Sequence, residues 1–520
     1  MQAGDKKTDE QGYGAIERVV IVGGGTAGWM TAAALAKSLP PQVRITLVES
    51  AEIGTVGVGE ATIPSIRTFN DILGIDESEF IRETKATFKL GIEFVGWNKP
   101  DDVYFHPFGE HGRHTDEFRF PQLWYRLRHE ASQGRCPDPG PISDYNICSV
   151  AAGLGRFDTD MSAQNAVAPL RYAYHLDASL YAAFLRRYAE ARGVVRVEGR
   201  IESCRRRELD GFISEVVLTD GRSVAGDLFI DCSGFRGLLI HEELKAGFDD
   251  WSDLLPCDRA VAVGSESVGE LLPFTRASAD TAGWRWRIPL QHRTGNGYVF
   301  SSRHISADEA TARLLSQLEG KPIGDPRVIG FNTGHRDKMW IKNCVAVGLA
   351  AGFIEPLEST SIHLIQTAIA KILIFFPDKQ FAQADIDAFN RATCEEYEAV
   401  RDFIILHYCA TERTDSAFWN ERRGTTLPRK LESRIDLFRS KGRIFRHQEE
   451  LFADDSWLAV MMGQGIVPRG YDPLLDKIPL AQLSQNVAAL RHVTARAVSA
   501  MPKHQTYLTR YQRADLVGRP

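Results

Sequence analysis

A glycine-rich turn near the N-terminus has the residue types and spacing of a phosphate-binding loop. Gly23, Gly25 and Gly28 directly follow an apolar run at residues 18–22, which is predicted to be a buried parallel strand, and an Ala-rich helix follows to Ser38. In such a turn the first glycine permits the tight bend, the second lets the backbone approach a pyrophosphate, and the third lets helix and strand pack closely. The pattern therefore indicates a nucleotide cofactor.

The segment after the turn completes a βαβ unit. Residues 43–48 are predicted to be the second strand, and Glu49 closes it 21 residues after Gly28, where a carboxylate can accept hydrogen bonds from ribose hydroxyls. Thr26 and Ala27 lie in the loop whose N–H groups, with the helix dipole, favour phosphate. A purely structural glycine turn is the alternative, but strand, helix, second strand and acid are all in place.

Two later strands favour FAD over NAD as the cofactor. Residues 227–234 and 343–352 each read as a strand that ends in small residues, and they contain Asp231 and Gly348, respectively. Similar elements recur in flavoproteins that resemble glutathione reductase and p-hydroxybenzoate hydroxylase, where they close over the flavin; two ordinary core strands are the alternative. A second complete Gly-x-Gly-x-x-Gly pattern is absent from the sequence. Electrons must then come from docked pyridine nucleotide or from flavin reduced by another protein.

Three further motifs carry a family resemblance. They are Gly57-Val-Gly-Glu-Ala-Thr-Ile-Pro64, Trp284-Arg-Trp-Arg-Ile-Pro289 and Glu355-Pro-Leu-Glu-Ser-Thr360. Together with the glycine turn they resemble the flavin-dependent tryptophan halogenases, over nearly the whole chain. The resemblance assigns residues of the first motif to the two ligands: Gly59 and Ala61 to the cofactor, and Ile63 and Pro64 to the substrate.

The resemblance implies a halogenase that uses reduced FAD (FADH2). In the family, reduced FAD and dioxygen convert a bound halide ion into hypohalous acid, which reaches a lysine beside an electron-rich aromatic ring. Lys89 matches that lysine, at the end of a helix predicted over residues 77–90, whereas Lys85 lacks the family's Phe-Lys sequence. As an ammonium Lys89 can donate a hydrogen bond to the oxidant, and as an amine it could form a haloamine. A solvated lysine at a helix end is the alternative.

Glu358 matches the family's active-site glutamate. A carboxylate near the ring can stabilise the cationic intermediate of electrophilic substitution and take up the ring proton, and its charge suits an ion pair with Lys89. Capping of the helix predicted over residues 360–376 is the alternative. The family binds halide through backbone N–H groups of a Thr-Gly pair; here the pair is Thr360-Ser361, which leaves the choice between chloride and bromide open.

The tryptophan-rich motif is expected to separate flavin from substrate. Trp284 and Trp286 alternate on one predicted strand, so that Arg285 and Arg287 point to its other face. In the family this motif lies beside the flavin and blocks the substrate from reaching it. Spacing alone also fits ordinary core tryptophans.

The substrate ring is expected to contact His106 and Phe108, together with Phe418 and Trp419, for which core packing is the alternative. In tryptophan halogenases an acidic residue four places before the Phe-Trp pair helps to hold the substrate ammonium, and Thr414 occupies that place here. Because threonine cannot neutralise a buried ammonium, we predict a preference for indoles without the amino-acid group. Acidic neighbours in the same loop leave tryptophan itself open, and a carrier-bound ring is a further alternative.

The predicted fold class is α/β, an FAD-binding Rossmann-like fold of the p-hydroxybenzoate hydroxylase and glutathione reductase type, with a mostly helical second lobe. A polar lead-in, expected to be disordered, covers residues 1–16. The FAD-binding lobe is predicted over 17–100 and 166–380, and the substrate-binding lobe over 101–165 and 381–520. A hairpin turn is predicted at Asp220-Gly221, between strands at 212–219 and 227–232.

Composition excludes several other classes. The chain has 520 residues, a net charge of −6 and a pI near 6.2, so no nucleic-acid or anionic-membrane partner is indicated. No apolar stretch of spanning length and no secretory signal is visible. The eight cysteines form no Cys-x-x-Cys pair, so neither a disulfide framework nor a metal site is expected, and a reducing cytoplasm fits.

The family resemblance also implies a partner protein. A separate NAD(P)H-dependent flavin reductase is expected to supply FADH2, while the sequence leaves a monomer or a homodimer open. Two other functions remain alternatives: a single-component FAD monooxygenase that hydroxylates an aromatic ring, and a non-catalytic flavin-binding protein.

Overall fold

The computed structural model describes residues 14–51, 59–160, 168–446 and 450–512. Most of the predicted lead-in and Gly57 therefore lie outside the described residues. Of the lead-in, Ile16 is buried in the core and Lys379 N–H donates a hydrogen bond to the carbonyl of Gly14. Residues 14–16 thus belong to the folded part of the chain, which corrects the boundary predicted at residue 17.

Strands form five sheets within the described residues. They are β1 Arg18–Val22, β2 Arg44–Glu49, β3 Glu60–Ala61, β4 Thr87–Lys89, β5 Gly91–Val95, β6 Val103–Pro107, β7 Ala173–Leu176, β8 Val195–Glu198, β9 Ile201–Arg206, β10 Ile213–Leu218, β11 Ser223–Ala225, β12 Leu228–Asp231, β13 Phe248–Asp250, β14 Arg259–Ser265, β15 Thr275–Asp280, β16 Gly283–Pro289, β17 Thr294–Phe300, β18 Pro322–Gly330, β19 Gly334–Arg336, β20 Trp340–Ile341, β21 Cys344–Ala346 and β22 Gly352–Phe353.

Helices surround these sheets and dominate the C-terminal part. They are α1 Thr26–Ser38, α2 Ser65–Leu73, α3 Glu77–Glu83, α4 Phe120–Ser132, α5 Ile147–Gly153, α6 Ala178–Glu190, α7 Ala307–Ser316, α8 Ser361–Ile374, α9 Gln383–Cys409, α10 Ala417–Arg423, α11 Arg429–Lys441, α12 Asp454–Gly463, α13 Leu480–Ser499 and α14 His504–Gln512. None of the helices in the described ranges combines the length and apolar character needed to span a bilayer.

A six-stranded sheet forms the nucleotide-binding core, in the order β20-β21-β12-β1-β2-β8. Its central strand β1 is the apolar run next to the glycine turn, and it pairs in parallel with β2 and β12. Helix α1 connects β1 to β2, so the predicted βαβ unit is present. Both faces of a parallel sheet are covered by other elements, which explains the apolar run at residues 19–22 of the central strand β1.

A seven-stranded sheet supports the second side of the site, in the order β18-β14-β17-β16-β15-β5-β6. The tryptophan-rich motif forms β16 in its centre. β6 lies at the edge and pairs antiparallel with β5, so this part of the predicted substrate-binding lobe is built onto the sheet of the first lobe.

The lysine motif lies on a strand, which corrects the helix predicted over residues 77–90. Helix α3 ends at Glu83, and Lys85 takes a left-handed backbone conformation with φ of 53°. The chain then forms β4, which pairs with β7 in a small sheet of order β3-β7-β4. Thr87 fixes this strand, because its hydroxyl donates to the carbonyl of Pro289 at 2.7 Å. Lys89 is therefore positioned by a sheet rather than by a helix.

Two further elements differ from or extend the prediction. The turn at Asp220-Gly221 joins β10 to β11, whereas β12 belongs to the nucleotide-binding sheet, so the predicted hairpin partner was wrong. At the C-terminus, His504 at the start of α14 accepts a hydrogen bond from Phe88 N–H at 3.2 Å. The last described helix thus holds the backbone of β4 beside Lys89.

Candidate active site

The glycine turn has the close contacts that the sequence predicts. Gly23 has a φ of +108°, and a Cβ there would lie 2.3 Å from the carbonyl oxygen of Cys232. A Cβ at Gly28 would lie 1.8 Å from the carbonyl oxygen of Gly23. Both positions therefore need glycine, one for conformation and close packing against β12 and the other for contact between turn and helix.

The N-terminus of α1 is open on the side where a phosphate would approach. Gly25 is the N-cap residue, and among the described residues no side chain caps the helix. A Cβ built on Gly25 has no atom within 4 Å. Helix α1 therefore begins at Thr26 and Ala27 with a cradle of N–H donors and a positive dipole end, which fits the diphosphate of FAD.

Glu49 lies against this cradle at the end of β2. Its carboxylate accepts a hydrogen bond from Trp29 Nε1 at 3.3 Å and pairs with Arg196. A Cβ on Gly24 would lie 1.4 Å from Glu49 Oε2, so the carboxylate covers the glycine turn directly. This is the place where a ribose hydroxyl of a bound dinucleotide is expected.

Gly348 and Asp231, the predicted cofactor residues of the two later strands, make different kinds of contact. Gly348, with φ of +68°, faces the first turn of α1, because a Cβ there would lie 2.8 Å from Ala27 Cβ. Asp231 is fully buried, and its carboxylate accepts backbone N–H bonds from Ser233, Leu239 and Ile240 at 3.0, 2.8 and 2.9 Å. Asp231 thus fixes the chain after β12, and its carboxylate is already satisfied by the protein.

Predicted flavin neighbours from distant motifs come together in one small apolar cluster. Ala61 packs with Ile288 and Leu290, and Trp286 packs against this group. Gly297 on the neighbouring strand makes room for the indole, since a Cβ there would lie 2.0 Å from the Trp286 ring. Gly59, with φ of +139°, lies against the strands that carry Trp286 and Gly297. Together these residues form one wall of the predicted flavin site.

Trp284, two residues before Trp286 on the same strand, contacts Glu355, a motif residue for which no role was predicted. Its indole N–H donates to Glu355 at 3.4 Å, and both side chains are 1% exposed. Burial raises the pKa of Glu355 to about 7, while hydrogen bonds, including that from Trp284, oppose the shift. Glu355 is therefore a buried carboxyl that holds the tryptophan in place.

Lys89 is fully buried between two acceptors. Its Nζ donates to the carbonyl of Thr62 at 3.0 Å and to Ser359 Oγ at 2.8 Å. Thr62 precedes Ile63 and Pro64, so the first motif contacts the lysine. Burial lowers the pKa of Lys89 to about 7, and the charge of Glu358 partly offsets this. Near neutral pH both the ammonium and the amine are therefore populated.

Glu358 is paired with two histidines rather than directly with Lys89. His106 Nδ1 lies 3.0 and 2.9 Å from the two carboxylate oxygens, and His407 Nε2 lies 2.8 Å from Oε1. Burial alone would raise the pKa of Glu358, but the charges and hydrogen bonds of His106 and His407 lower it to about 2. The sequence reasoning missed His407, which lies on α9 far from any recognised motif.

The predicted halide residues lie at the start of α8, next to Glu358. Thr360 is the N-cap residue and Ser361 the first helical residue, and within the described part of the chain no side chain caps this helix. Ser359 takes a left-handed conformation with φ of 60°. Glu358 therefore does not cap α8, and the N–H groups of the first turn remain to bind an anion.

The aromatic side chains divide into two groups. Phe108 lies 5.4 Å from Lys89 Nζ, and Phe452 is 6.4 Å from the ring of His106. Phe418 and Trp419 have no exposed surface; the Trp419 indole donates to the carbonyl of Asp280 at 2.8 Å. Phe108 thus lies near Lys89 and Phe452 near His106, whereas Phe418 and Trp419 are buried in the core.

The loop around Thr414 also lies apart from Lys89. Thr414 is exposed, and its carbonyl accepts a hydrogen bond from Asn420 at 3.4 Å. Phe452 was not predicted, because the segment around it carries no pattern that distinguishes it from core.

A nucleotide-binding sheet of this topology, in a chain that also buries an amine and a carboxylate, is typical of a flavin-dependent enzyme that acts on a small molecule. The tryptophan halogenase family model matches residues 18–480, so the chain belongs to the tryptophan halogenase family and is a flavin-dependent halogenase.

Individual relatives agree with this assignment. A tryptophan 6-halogenase from Streptomyces toxytricini is 35% identical over 94% of this chain and 97% of its own length. A tryptophan 7-halogenase from Lentzea aerocolonigenes is 35% identical over 90% of this chain and 93% of its own length. The solved structure of a flavin-dependent halogenase from Xanthomonas campestris has a TM-score of 0.91 and 48% identity, and the match covers 96% of this chain and 98% of that chain.

Two glycine substitutions should separate folding from cofactor binding. Gly28→Ala should lower both the unfolding temperature and FAD binding, because its methyl group would collide with the carbonyl of Gly23. Gly25→Ala should fold normally, since its φ of −75° suits alanine and the site is open, but its methyl group would fill the cradle and weaken FAD binding about tenfold or more. Thermal unfolding and FAD titration measure the two effects. Normal FAD affinity of Gly25→Ala would show that the diphosphate binds elsewhere.

Proposed function

We propose that the protein halogenates an electron-rich aromatic ring, an indole without a free amino-acid group, using reduced FAD, dioxygen and chloride or bromide. Hypohalous acid is positioned by Lys89, and Glu358 assists the substitution. Reduced FAD, when bound, supplies the chemistry that oxidises the halide. The residues of this chain bind the halide, hold the oxidant and orient the ring.

The buried amine of Lys89 is the observation that carries the proposal. An ammonium has three N–H donors, and two of them are used by Thr62 and Ser359. The third is left for the oxidant, where hydrogen bonding makes the halogen more electrophilic. The ammonium is needed for this, so this role is favoured below the pKa of about 7, whereas the amine form above it suits a haloamine.

Glu358 supplies negative charge beside the ring. Its lowered pKa keeps it ionised throughout the neutral range, so it stabilises positive charge that develops on the ring. Because it is 2% exposed, little water screens this effect. His106 and His407 fix the direction of the carboxylate.

The positions of the two tryptophans and of α8 support a reaction with two separate sites. The halide is oxidised at the flavin, and the ring is halogenated beside Lys89. Trp284 and Trp286 stand in the wall formed by β16, so a ring near Lys89 is kept from the flavin and direct hydroxylation is avoided. The N-terminus of α8 offers N–H donors to a halide. Thr360 and Ser361 start that helix directly after the residues that contact Lys89.

The charges around Phe452 favour a substrate without an ammonium group. Three carboxylates beside it in the described part of the chain already have basic partners: Glu450 pairs with Arg434 at 2.7 Å, Asp454 with Arg446 at 2.8 Å and Asp455 with His111 at 2.9 Å. A substrate ammonium would have to displace one of them or remain unpaired, which is costly. Thr414 is exposed, so it does not bear on the ammonium of a buried substrate. Tryptophan itself is the second candidate, since the names of the curated relatives favour it.

Replacing Lys89 should separate oxidant positioning from flavin chemistry. Lys89→Met should lower halogenation by about 100-fold or more while FAD binding and flavin reoxidation persist. Lys85→Met is the matched control, because Lys85 is exposed and should tolerate the change. Product formation by mass spectrometry and flavin reoxidation by absorbance are measured for both. Equal activity of the two variants would contradict the role of Lys89.

Electrons should come from a separate NAD(P)H-dependent flavin reductase. The purified protein with FAD, halide, dioxygen and NADH should form no product, and addition of a flavin reductase should start the reaction. Chemically reduced FAD in place of the reductase is the control. NADH oxidation by the purified protein alone, at the rate of product formation, would refute this prediction.

The preference between indole and tryptophan should follow from the paired carboxylates around Phe452. With reductase present, indole should be halogenated faster than free tryptophan at equal concentration, because the carboxylates beside Phe452 in the described part of the chain are already paired. The rates are compared by liquid chromatography with chloride and with bromide. A clear preference for tryptophan would overturn the proposed substrate class but not the halogenase reaction.

A further inference from the structure

Glu358 is poorly suited to remove the proton that halogenation leaves on the ring. Both of its oxygens face His106 Nδ1, and Oε1 also faces His407 Nε2. Its low pKa makes it a weak base. A carboxylate engaged in this way serves better to orient and stabilise a neighbouring group than to accept a proton from carbon.

The two histidines that contact Glu358 differ in what their second nitrogen does. His407 is fully buried, and its Nδ1 lies 2.9 Å from the carbonyl of Phe403, so both of its nitrogens face the protein. His106 uses only Nδ1 for Glu358, and among the described residues its hydrogen bonds are made through that nitrogen alone. Since a carboxylate only accepts, Nδ1 carries the proton and Nε2 of the neutral ring keeps a lone pair.

His106 and Lys89 share a neighbour in Glu358, which faces His106 Nδ1 and whose charge acts on Lys89. His106 lies on β6, and Phe108 follows that strand directly. Phe108 lies 5.4 Å from Lys89 Nζ, and Phe452 lies beside the His106 ring. A ring held between these aromatic residues has Lys89 on one side and His106 on another.

We infer that His106 is the catalytic base that removes the ring proton, and that Glu358 and His407 are its positioning residues. The inference rests on the proposed halogenation. A carboxylate–histidine pair of this kind holds one tautomer of the imidazole and stabilises the imidazolium that forms, as in other enzymes that use histidine as a base.

The reaction balances as follows. The ring carbon donates an electron pair to the halogen of hypohalous acid, the halogen–oxygen bond breaks, and the departing hydroxide takes a proton from the Lys89 ammonium to form water. His106 Nε2 then takes the proton from the same carbon, and the C–H electrons restore the aromatic ring. His106 releases this proton and Lys89 regains one, so hypohalous acid and arene give haloarene and water.

An isotope effect tests the assignment. His106→Asn keeps an amide nitrogen near the position of Nδ1 for Glu358 but removes Nε2. Turnover of indole is compared with that of indole deuterated at every ring carbon, with flavin reductase and bromide present. The wild-type ratio should be near one, while His106→Asn should lower turnover about 100-fold and raise the ratio clearly above one, because C–H cleavage becomes limiting.

His407→Asn is the matched control. It keeps a nitrogen near Phe403 and removes the contact with Glu358, so it should lower turnover without raising the isotope ratio. FAD binding and thermal unfolding verify that each variant folds, and His106→Gln replaces His106→Asn if the latter does not.

A ratio near one in the folded His106 variant, or equal ratios in the two histidine variants, would overturn the assignment. No product from the wild type with any indole would overturn the proposed function, and this inference with it.

Discussion

The burial of an amine and a carboxylate in the same site is the constraint on which the rest of this structure depends. Lys89 has no exposed surface and Glu358 has 2%. Each charge removed from water costs several kcal/mol unless hydrogen bonds and opposite charge replace the lost hydration. The protein meets this cost separately for each group, so neither charge is cancelled by direct contact with the other and both remain to act on a substrate.

This constraint explains why the site draws on distant parts of the chain. The partners of Lys89 come from the segment after β3 and from the residue before Thr360, while those of Glu358 come from β6 and α9. The small sheet β3-β7-β4 brings two of these segments together, and the left-handed Ser359 turns the chain so that neighbouring side chains serve different partners. The two large sheets provide a rigid frame for these short connections.

Local patterns were sufficient for the nucleotide-binding half of the molecule. The glycine turn, β1 and β2 are adjacent in sequence, so their periodicity and spacing predicted the βαβ unit that the structure contains. Lys89 was identified by its motif but assigned to the wrong element, because the left-handed Lys85 and the hydrogen bonds of Thr87 override a helical pattern. Likewise Asp231 was placed correctly at a strand end, although its carboxylate serves the backbone.

The substrate side could not be predicted to the same extent, because its residues meet only in the folded chain. His407 lies on a long helix and Phe452 precedes another, and neither has a local signature. Phe418 and Trp419 show the opposite case, since a conspicuous aromatic pair turned out to be core packing. Only the hydrogen bonds and ring contacts of the folded protein distinguish these cases.

The hydrogen bond between Phe88 and His504 can form only late during the synthesis of the protein. Strand β4 is translated early, but the acceptor for its Phe88 N–H arrives 416 residues later. The nucleotide-binding βαβ unit can form while the chain is still being made, whereas the backbone next to Lys89 acquires this partner only after residue 504 has left the ribosome. The surroundings of Lys89 are therefore completed late, and a chain that ends before residue 504 lacks the hydrogen bond that secures this strand.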